Sequence, residues 1–278
     1  MNTPIASIKT VNHILREHDL HAKKFLGQNF IVDRKVIDKI SRVSTIDPTK
    51  HVLEIGPGIG SLTEALCEHA SSVTAVEIDA HMVNILKETC GHFPNLTVIH
   101  DDFLDVDVDQ LCQQPMIVCA NLPYYVTTPI LFALFESGCD FEKIIVMVQK
   151  EVAERLKAVK GSKQYNALSI LVQTCYEVKV EFDVSKHVFI PKPAVDSSVI
   201  SFIKRKDVDM MRLQPLFDFI KKCFAFRRKT LANNLKEIVD PHIDVSECLQ
   251  KAQLKADVRA QNCSYEDFKR LYEVIYET

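Results

Sequence analysis

The chain is predicted to be an α/β protein with a mostly parallel seven-stranded sheet, followed by a small all-helical C-terminal domain. Three observations predict this class. From residue 51 short apolar runs alternate with amphipathic stretches, the first run ends in a glycine-rich turn directly before a helical stretch, and beyond Lys204 helical periodicity continues without strands.

In order, His51–Ile55 reads as the first strand and Ser61–His69 as the helix after the turn. Ser72–Ile78 is the second strand, His81–Cys90 a helix, Leu96–His100 the third strand, Met116–Ala120 the fourth and Ile144–Val148 the fifth. Helices fit Thr127–Glu136, Glu151–Val159 and Tyr165–Thr174, while Glu177–Val184 and Ser197–Ile203 read as an antiparallel edge pair. Leu213–Phe224, Arg228–Val239, Val245–Lys251 and Tyr265–Tyr276 are helical, so the expected domains are residues 1–204 and 205–278.

With 278 residues and 47% hydrophobic content, the chain can fill a sizeable core. Its net charge of −3 gives no bulk argument for a nucleic-acid partner. The distribution is uneven, however. Residues 1–46 carry 8 basic and 4 acidic side chains, residues 47–203 carry 11 and 21, and residues 204–278 carry 15 and 12, so two basic ends bracket an acidic middle. No apolar stretch is long enough to span a bilayer and Met1–Leu20 has no apolar core, so a cytoplasmic protein is expected. The nine cysteines form no C-x-x-C pair and are read as small buried hydrophobes, neither disulfides nor zinc ligands. His13, His18, His21 and His187 lack partners at ligand spacing, and no metal is expected.

The first strand ends in Glu54-Ile55-Gly56-Pro57-Gly58-Ile59-Gly60. Glycines there let the backbone turn sharply and approach a ligand at the carboxyl edge of the sheet, although a tight strand-to-helix turn is itself sufficient reason for them. The G-x-G-x-G spacing is not the dinucleotide fingerprint, and there is no phosphate-binding Gly-Lys-Ser/Thr. Glu54 would repel a pyrophosphate but suits an amino group and a sulfonium. Glu77 ends the second strand, where a carboxylate can take both hydroxyls of a ribose, and Asp101-Asp102 end the third, where an acid can accept from an adenine amine. Together these acids and glycines fit S-adenosylmethionine.

The fourth strand runs into Asn121-Leu122-Pro123-Tyr124. An adenine N6 is a poor nucleophile because its lone pair is delocalised into the ring. The Asn121 side-chain oxygen and Leu122 carbonyl can accept from that amine and favour a pyramidal nitrogen, with Pro123 stiffening the backbone. Tyr124 offers a face for an unstacked base, and Phe189 is the candidate for the opposite wall. Read alone, the tetrad is more simply a strand-end turn with a core tyrosine.

These motifs, with Lys24-Phe25-Leu26-Gly27-Gln28-Asn29-Phe30, Gln149-Lys150-Glu151-Val152, Pro193-Ala194-Val195-Asp196-Ser197 and Arg227-Arg228-Lys229-Thr230, make the chain resemble the rRNA adenine N6-dimethyltransferases, and most closely their bacterial small-subunit branch. The resemblance runs from Lys23 to about Phe268. It implies a Rossmann-like methyltransferase fold and a methyl-donor site of Asn29, Ile31, Gly56, Glu77, Asp102 and Asn121, and Gln28, Glu54 and Gly58 beside them are expected donor contacts as well. It further implies four methyl transfers to two adjacent adenosines near the 3′ end of small-subunit (16S) rRNA in a pre-formed 30S particle, by a monomer with no obligatory protein partner. Arg227, Arg228 and Lys229 become expected RNA contacts, and Lys23, Lys24, Arg34 and Lys35 the rim of the pocket, with the N-terminal segment as a lid. Tyr125 stands where many members have Asn, and Gln261 and Cys263 replace a usual Glu and an apolar residue. Two other readings are weighed: the large-subunit, antibiotic-resistance branch of the family, and an RNA-binding assembly factor that works mainly without catalysis.

Overall fold

The computed structural model describes residues 3–20, 28–112, 115–206 and 208–276. Helix α1 (Ile8–Glu17) is capped by Ser7, whose hydroxyl accepts from the Thr10 N–H. After it come a two-residue strand β1 (Phe30–Ile31) and α2 (Arg34–Ser44), capped by Asp33. Then follow β2 (His51–Ile55), α3 (Thr63–Cys67), β3 (Ser72–Glu77), α4 (Ala80–Cys90), β4 (Leu96–His100), β5 (Met116–Asn121), α5 (Thr127–Glu136), β6 (Lys143–Gln149) and α6 (Lys150–Leu156). Helix α7 (Ala167–Cys175) precedes β7 (Tyr176–Val184), the two-residue β8 (Phe189–Ile190) and β9 (Ser197–Lys204). The chain ends in α8 (Met210–Cys223), α9 (Leu231–Leu235), α10 (Val245–Lys251) and α11 (Tyr265–Tyr276).

Seven strands form one sheet in the order β4-β3-β2-β5-β6-β9-β7, with β1 and β8 paired separately. Strands β4, β3, β2, β5 and β6 are parallel, and β9 runs antiparallel to β6, inserted between β6 and β7. The central strands are buried on both faces and read as nearly continuous apolar runs. Ile117, Cys119, Ile145 and Met147 face one core with α2 and α3, while α1 and α4 pack Val11, Ile85 and Leu86 into a second core with Ala75 of β3. The chain winds outward from β2 in one direction through β3 and β4, and in the other through β5 and β6. That reversal opens a crevice beyond the carboxyl ends of β2 and β5.

Residues 1–153 and 178–204 form one compact unit and residues 154–177 and 205–278 a second. The expected boundary at 204/205 is one of three crossings, and Glu154–Glu177 joins the helical unit. The reason is the nearly all-round burial of α7. Within the helical unit the Gly161 N–H donates to the Gln261 carbonyl, and the Tyr165 ring packs edge-on against Phe224. In sequence such a helix looks like one more βα repeat. The expected helix Arg228–Val239 is shorter, because Thr230 caps a new helix start by accepting from the Asn233 N–H.

Seven cysteines are free and buried, as fillers should be. Cys112 and Cys139 instead form a disulfide, with Cα atoms 5.7 Å apart across 27 residues. No local spacing signals a pair that only the tertiary path brings together.

Candidate functional site

A cleft of about 980 Å³, counting its open mouth, lies at the ends of β2, β3 and β5 and between β4 and the 28–31 segment. Gln28, Asn29, Ile31, Glu54, Gly56, Gly58, Glu77, Asp102, Asn121, Leu122, Pro123 and Tyr124 all line it.

The turn after β2 sets its floor. Gly58 has φ +57°, and its N–H donates to Glu77 Oε2 at 3.1 Å. A Cβ there would stand 3.3 Å from the Phe30 ring, so a side chain would press on the cleft wall. Gly60 has a different reason: φ is +95° and a Cβ would come 2.7 Å from Cys90 Sγ, so it is required for packing on α4.

Glu77 is buried, and its second oxygen accepts from the Asp79 N–H at 2.9 Å. Burial raises its pKa, opposed by these backbone donors and assisted by the charge of Asp79. A carboxylate held by two N–H groups is oriented, and its remaining lone pairs suit vicinal hydroxyls. Asp79 also caps α4 by accepting from the His81 N–H, and its other oxygen accepts from Gln28 Nε2 at 3.0 Å.

Glu54 is 1% exposed, and its Oε2 has no hydrogen-bond partner among the described residues. Burial pushes its pKa up to about 8; the charge of Glu77 adds to this and the Thr63 hydroxyl pulls the other way. An unpaired carboxylate oxygen on the wall of a cleft is costly by itself and fits a cationic ligand. Because the folded pKa lies above the unfolded value of 4.5, this group's contribution to stability is present below about pH 4.5 and is lost as pH rises through about 8. Stability of the ligand-free protein should therefore fall across that window by at most about 1.4 kcal/mol per pH unit, and Glu54→Gln should flatten the slope. Denaturant unfolding at pH 5, 6.5 and 8 measures this, and an equal slope in both proteins would refute it.

At the mouth, Asn121 Nδ2 donates to the Asn29 carbonyl at 3.3 Å. One N–H of the amide is thus engaged, which orients the group and leaves Oδ1 free to face an incoming amine. Leu122 is anchored by its N–H to the Met147 carbonyl, and the Pro123 carbonyl is taken by the Val126 N–H and the Thr127 hydroxyl at the start of α5. The Tyr124 hydroxyl lies 2.8 Å from Ser197 Oγ, which fixes the ring at the cleft. Burial raises its pKa against that hydrogen bond.

Phe189 is not an opposite wall. It is 3% exposed and packs in the core with Ile31, opposite it in the β1–β8 pair. Because strand side chains alternate, the same pairing sends Phe30 and Ile190 the other way, and of the two phenylalanines it is Phe30 that lines the cleft. Arg34 is not at the rim. Its guanidinium is spent on Asp38, Glu64 and Glu68 at 2.8, 3.2 and 2.8 Å. Lys23 and Lys24 lie outside the described residues, as does most of the motif Lys24–Phe30. Arg228 and Lys229 are exposed, whereas the Arg227 guanidinium donates to the backbone carbonyls of Lys163 and Tyr165. Ile78, Phe103 and Tyr125 also line the cleft, and no sequence motif marks them as ligand contacts. Ile78 and Phe103 directly follow the acids Glu77 and Asp102 in sequence, which is what brings these apolar side chains to the same edge of the sheet. No group of three or more His, Cys, Asp or Glu among the described residues could hold a metal.

The sheet order, the glycine turn and the acids at successive strand ends define the class as a Rossmann-like methyltransferase. Comparison with known proteins narrows this. The family model "Ribosomal RNA adenine dimethylase" matches residues 19–277, and the chain belongs to that family. It is 41% identical to "Ribosomal RNA small subunit methyltransferase A" of Bacillus pumilus, covering 99% of this chain and 98% of the relative. The protein of the same name from Streptococcus gordonii is 42% identical, with 98% of each covered. Among solved structures, a dimethyladenosine transferase from Plasmodium falciparum superposes with TM-score 0.70 at 26% identity, covering 87% of this chain and 95% of that one. The 23S rRNA methyltransferase ErmE gives 0.60 at 26%, covering 88% and 99%.

Proposed function

We propose that this protein transfers methyl groups from S-adenosylmethionine to N6 of two adjacent adenosines near the 3′ end of small-subunit rRNA, within a pre-formed 30S particle, making N6,N6-dimethyladenosine at both. The observation that carries the chemistry is the amide of Asn121, oriented by its N–H to the Asn29 carbonyl so that Oδ1 is an acceptor at the end of β5. The near full-length similarity to proteins named small-subunit methyltransferases supports the choice of subunit.

Glu54 would hold the amino-acid end of the donor, Glu77 its ribose, Asp102 its adenine amine, and the Gly56–Gly58 backbone would lie close against it. Bound there, S-adenosylmethionine supplies an electrophilic methyl group on a cationic sulfur. Asn121 Oδ1 and the Leu122 carbonyl accept from the adenine amine and localise its lone pair, while Tyr124 supports the base. A strong general base is not needed, because the proton leaves after the nitrogen has become cationic, and no histidine lines the cleft among the described residues. No helix among them is long and apolar enough to cross a membrane. We place the protein in the cytoplasm as a monomer without an obligatory protein partner.

The test is mass spectrometry of nucleosides from each ribosomal subunit after incubation with enzyme and donor. Dimethyladenosine in the small subunit is expected. Its appearance only in the large subunit would move the protein to the resistance-type activity, and its absence from both would leave an RNA-binding factor.

A further inference from the structure

The turn between α8 and α9 holds an exposed aromatic inside a run of cations. Lys221 to Lys229 contains Lys221, Lys222, Arg227, Arg228 and Lys229 and not one carboxylate. Two phenylalanines in this run have opposite fates. Phe224 is 9% exposed and packs on Phe268 and Tyr165, whereas Phe226 is 51% exposed. Residues 225–229 are all exposed.

Phe226 is nevertheless held in place. Its carbonyl accepts from the Lys229 N–H at 3.0 Å and from Asn234 Nδ2 at 3.2 Å, and Asn234 is itself buried. The neighbouring Arg227 guanidinium is anchored on the Lys163 and Tyr165 carbonyls. The Lys229 ammonium lies 4.4 Å from the centre of the Phe226 ring, a cation–π contact that covers one face. A hydrogen-bonded turn therefore presents a large apolar ring to water beside exposed cations. An exposed ring in a stretch of sequence with cations and no carboxylate, one of those cations lying on its face, suits a polyanion that also carries flat apolar surfaces, which is single-stranded nucleic acid.

We infer that Phe226 is a stacking platform for an unpaired base of small-subunit rRNA, with Arg228 and Lys229 on the adjoining phosphates. This rests on the rRNA substrate proposed above. The two contributions differ in their response to salt: each phosphate contact releases counterions and adds a little under one to the slope of log affinity against log salt, whereas stacking adds affinity and no slope.

The experiment is equilibrium binding of the full chain to unmethylated 30S particles at several salt concentrations, with methylation of the same particles followed in parallel. Phe226→Ala should weaken binding about 5- to 150-fold with the salt slope unchanged. Phe226→Trp should bind at least as well as the unchanged protein, and Phe226→Leu as poorly as the alanine variant. Lys229→Gln should instead lower the slope by roughly 0.7–0.9. Affinity of Phe226→Ala within twofold of the unchanged protein would overturn the inference. So would full affinity in Phe226→Leu, which would mark an apolar contact with a ribosomal protein, or a reduced slope in Phe226→Ala, which would mean that the ring only positions Lys229. If the unchanged protein neither binds nor methylates the particle, the functional reading fails with it; if it methylates normally and only the Phe226 pattern is absent, this inference alone fails.

Discussion

Asn121→Ala should lower turnover on 30S particles about 100- to 1,000-fold, the loss expected when a pre-organised hydrogen-bonding group is removed from a reacting centre. The effect belongs in kcat, because the amine of the target adenine gains most from an acceptor as its nitrogen becomes pyramidal and positive. Alanine also releases the Asn29 carbonyl, so a second variant separates the two roles. Asn121→Asp keeps an acceptor oxygen but cannot donate to Asn29, and it should retain activity well above that of the alanine variant. Single-turnover kinetics with saturating donor read the difference. Near-normal turnover by Asn121→Ala would remove this residue from the chemistry.

Glu77→Ala should act on the other half of the reaction. Two hydrogen bonds from donor hydroxyls to a buried carboxylate contribute about 1.5–3 kcal/mol each, so affinity for S-adenosylmethionine should fall roughly 10²- to 10⁴-fold. Calorimetric titration measures it. Both Glu77 oxygens accept from backbone N–H groups, so Glu77→Gln, which sets an amide NH2 against one of those donors, should weaken donor binding and lower the unfolding midpoint of the ligand-free protein modestly. A normal donor Kd in both variants would show that the ribose is held elsewhere.

These two residues were legible in the sequence for a physical reason. Each ends a short apolar run, and in a parallel sheet all such ends share one edge, so Glu54, Glu77, Asp102 and Asn121 converge however the helices between them pack. The misread residues depended on information that periodicity does not carry. Phe189 and Phe30 sit on a pair of two-residue strands, where a one-residue difference in register decides which aromatic faces the cleft. The charge of Arg34 suggested a rim contact, but three carboxylates, two of them on α3 or just beyond it, consume it. Helix α7 has strand neighbours in sequence and helical neighbours in space, so the division of the chain could not be placed from the order of elements alone.

Asp79 joins three parts of the site. Its N–H holds Glu77, one oxygen starts α4, and the other receives Gln28 from the segment beside the cleft. Substitutions at Gln28, Glu77 and Asp79 therefore share partners, and their free-energy effects will not add. A substitution at one of the three positions therefore changes what a substitution at another costs, so the tolerance of each position depends on the residues at the other two.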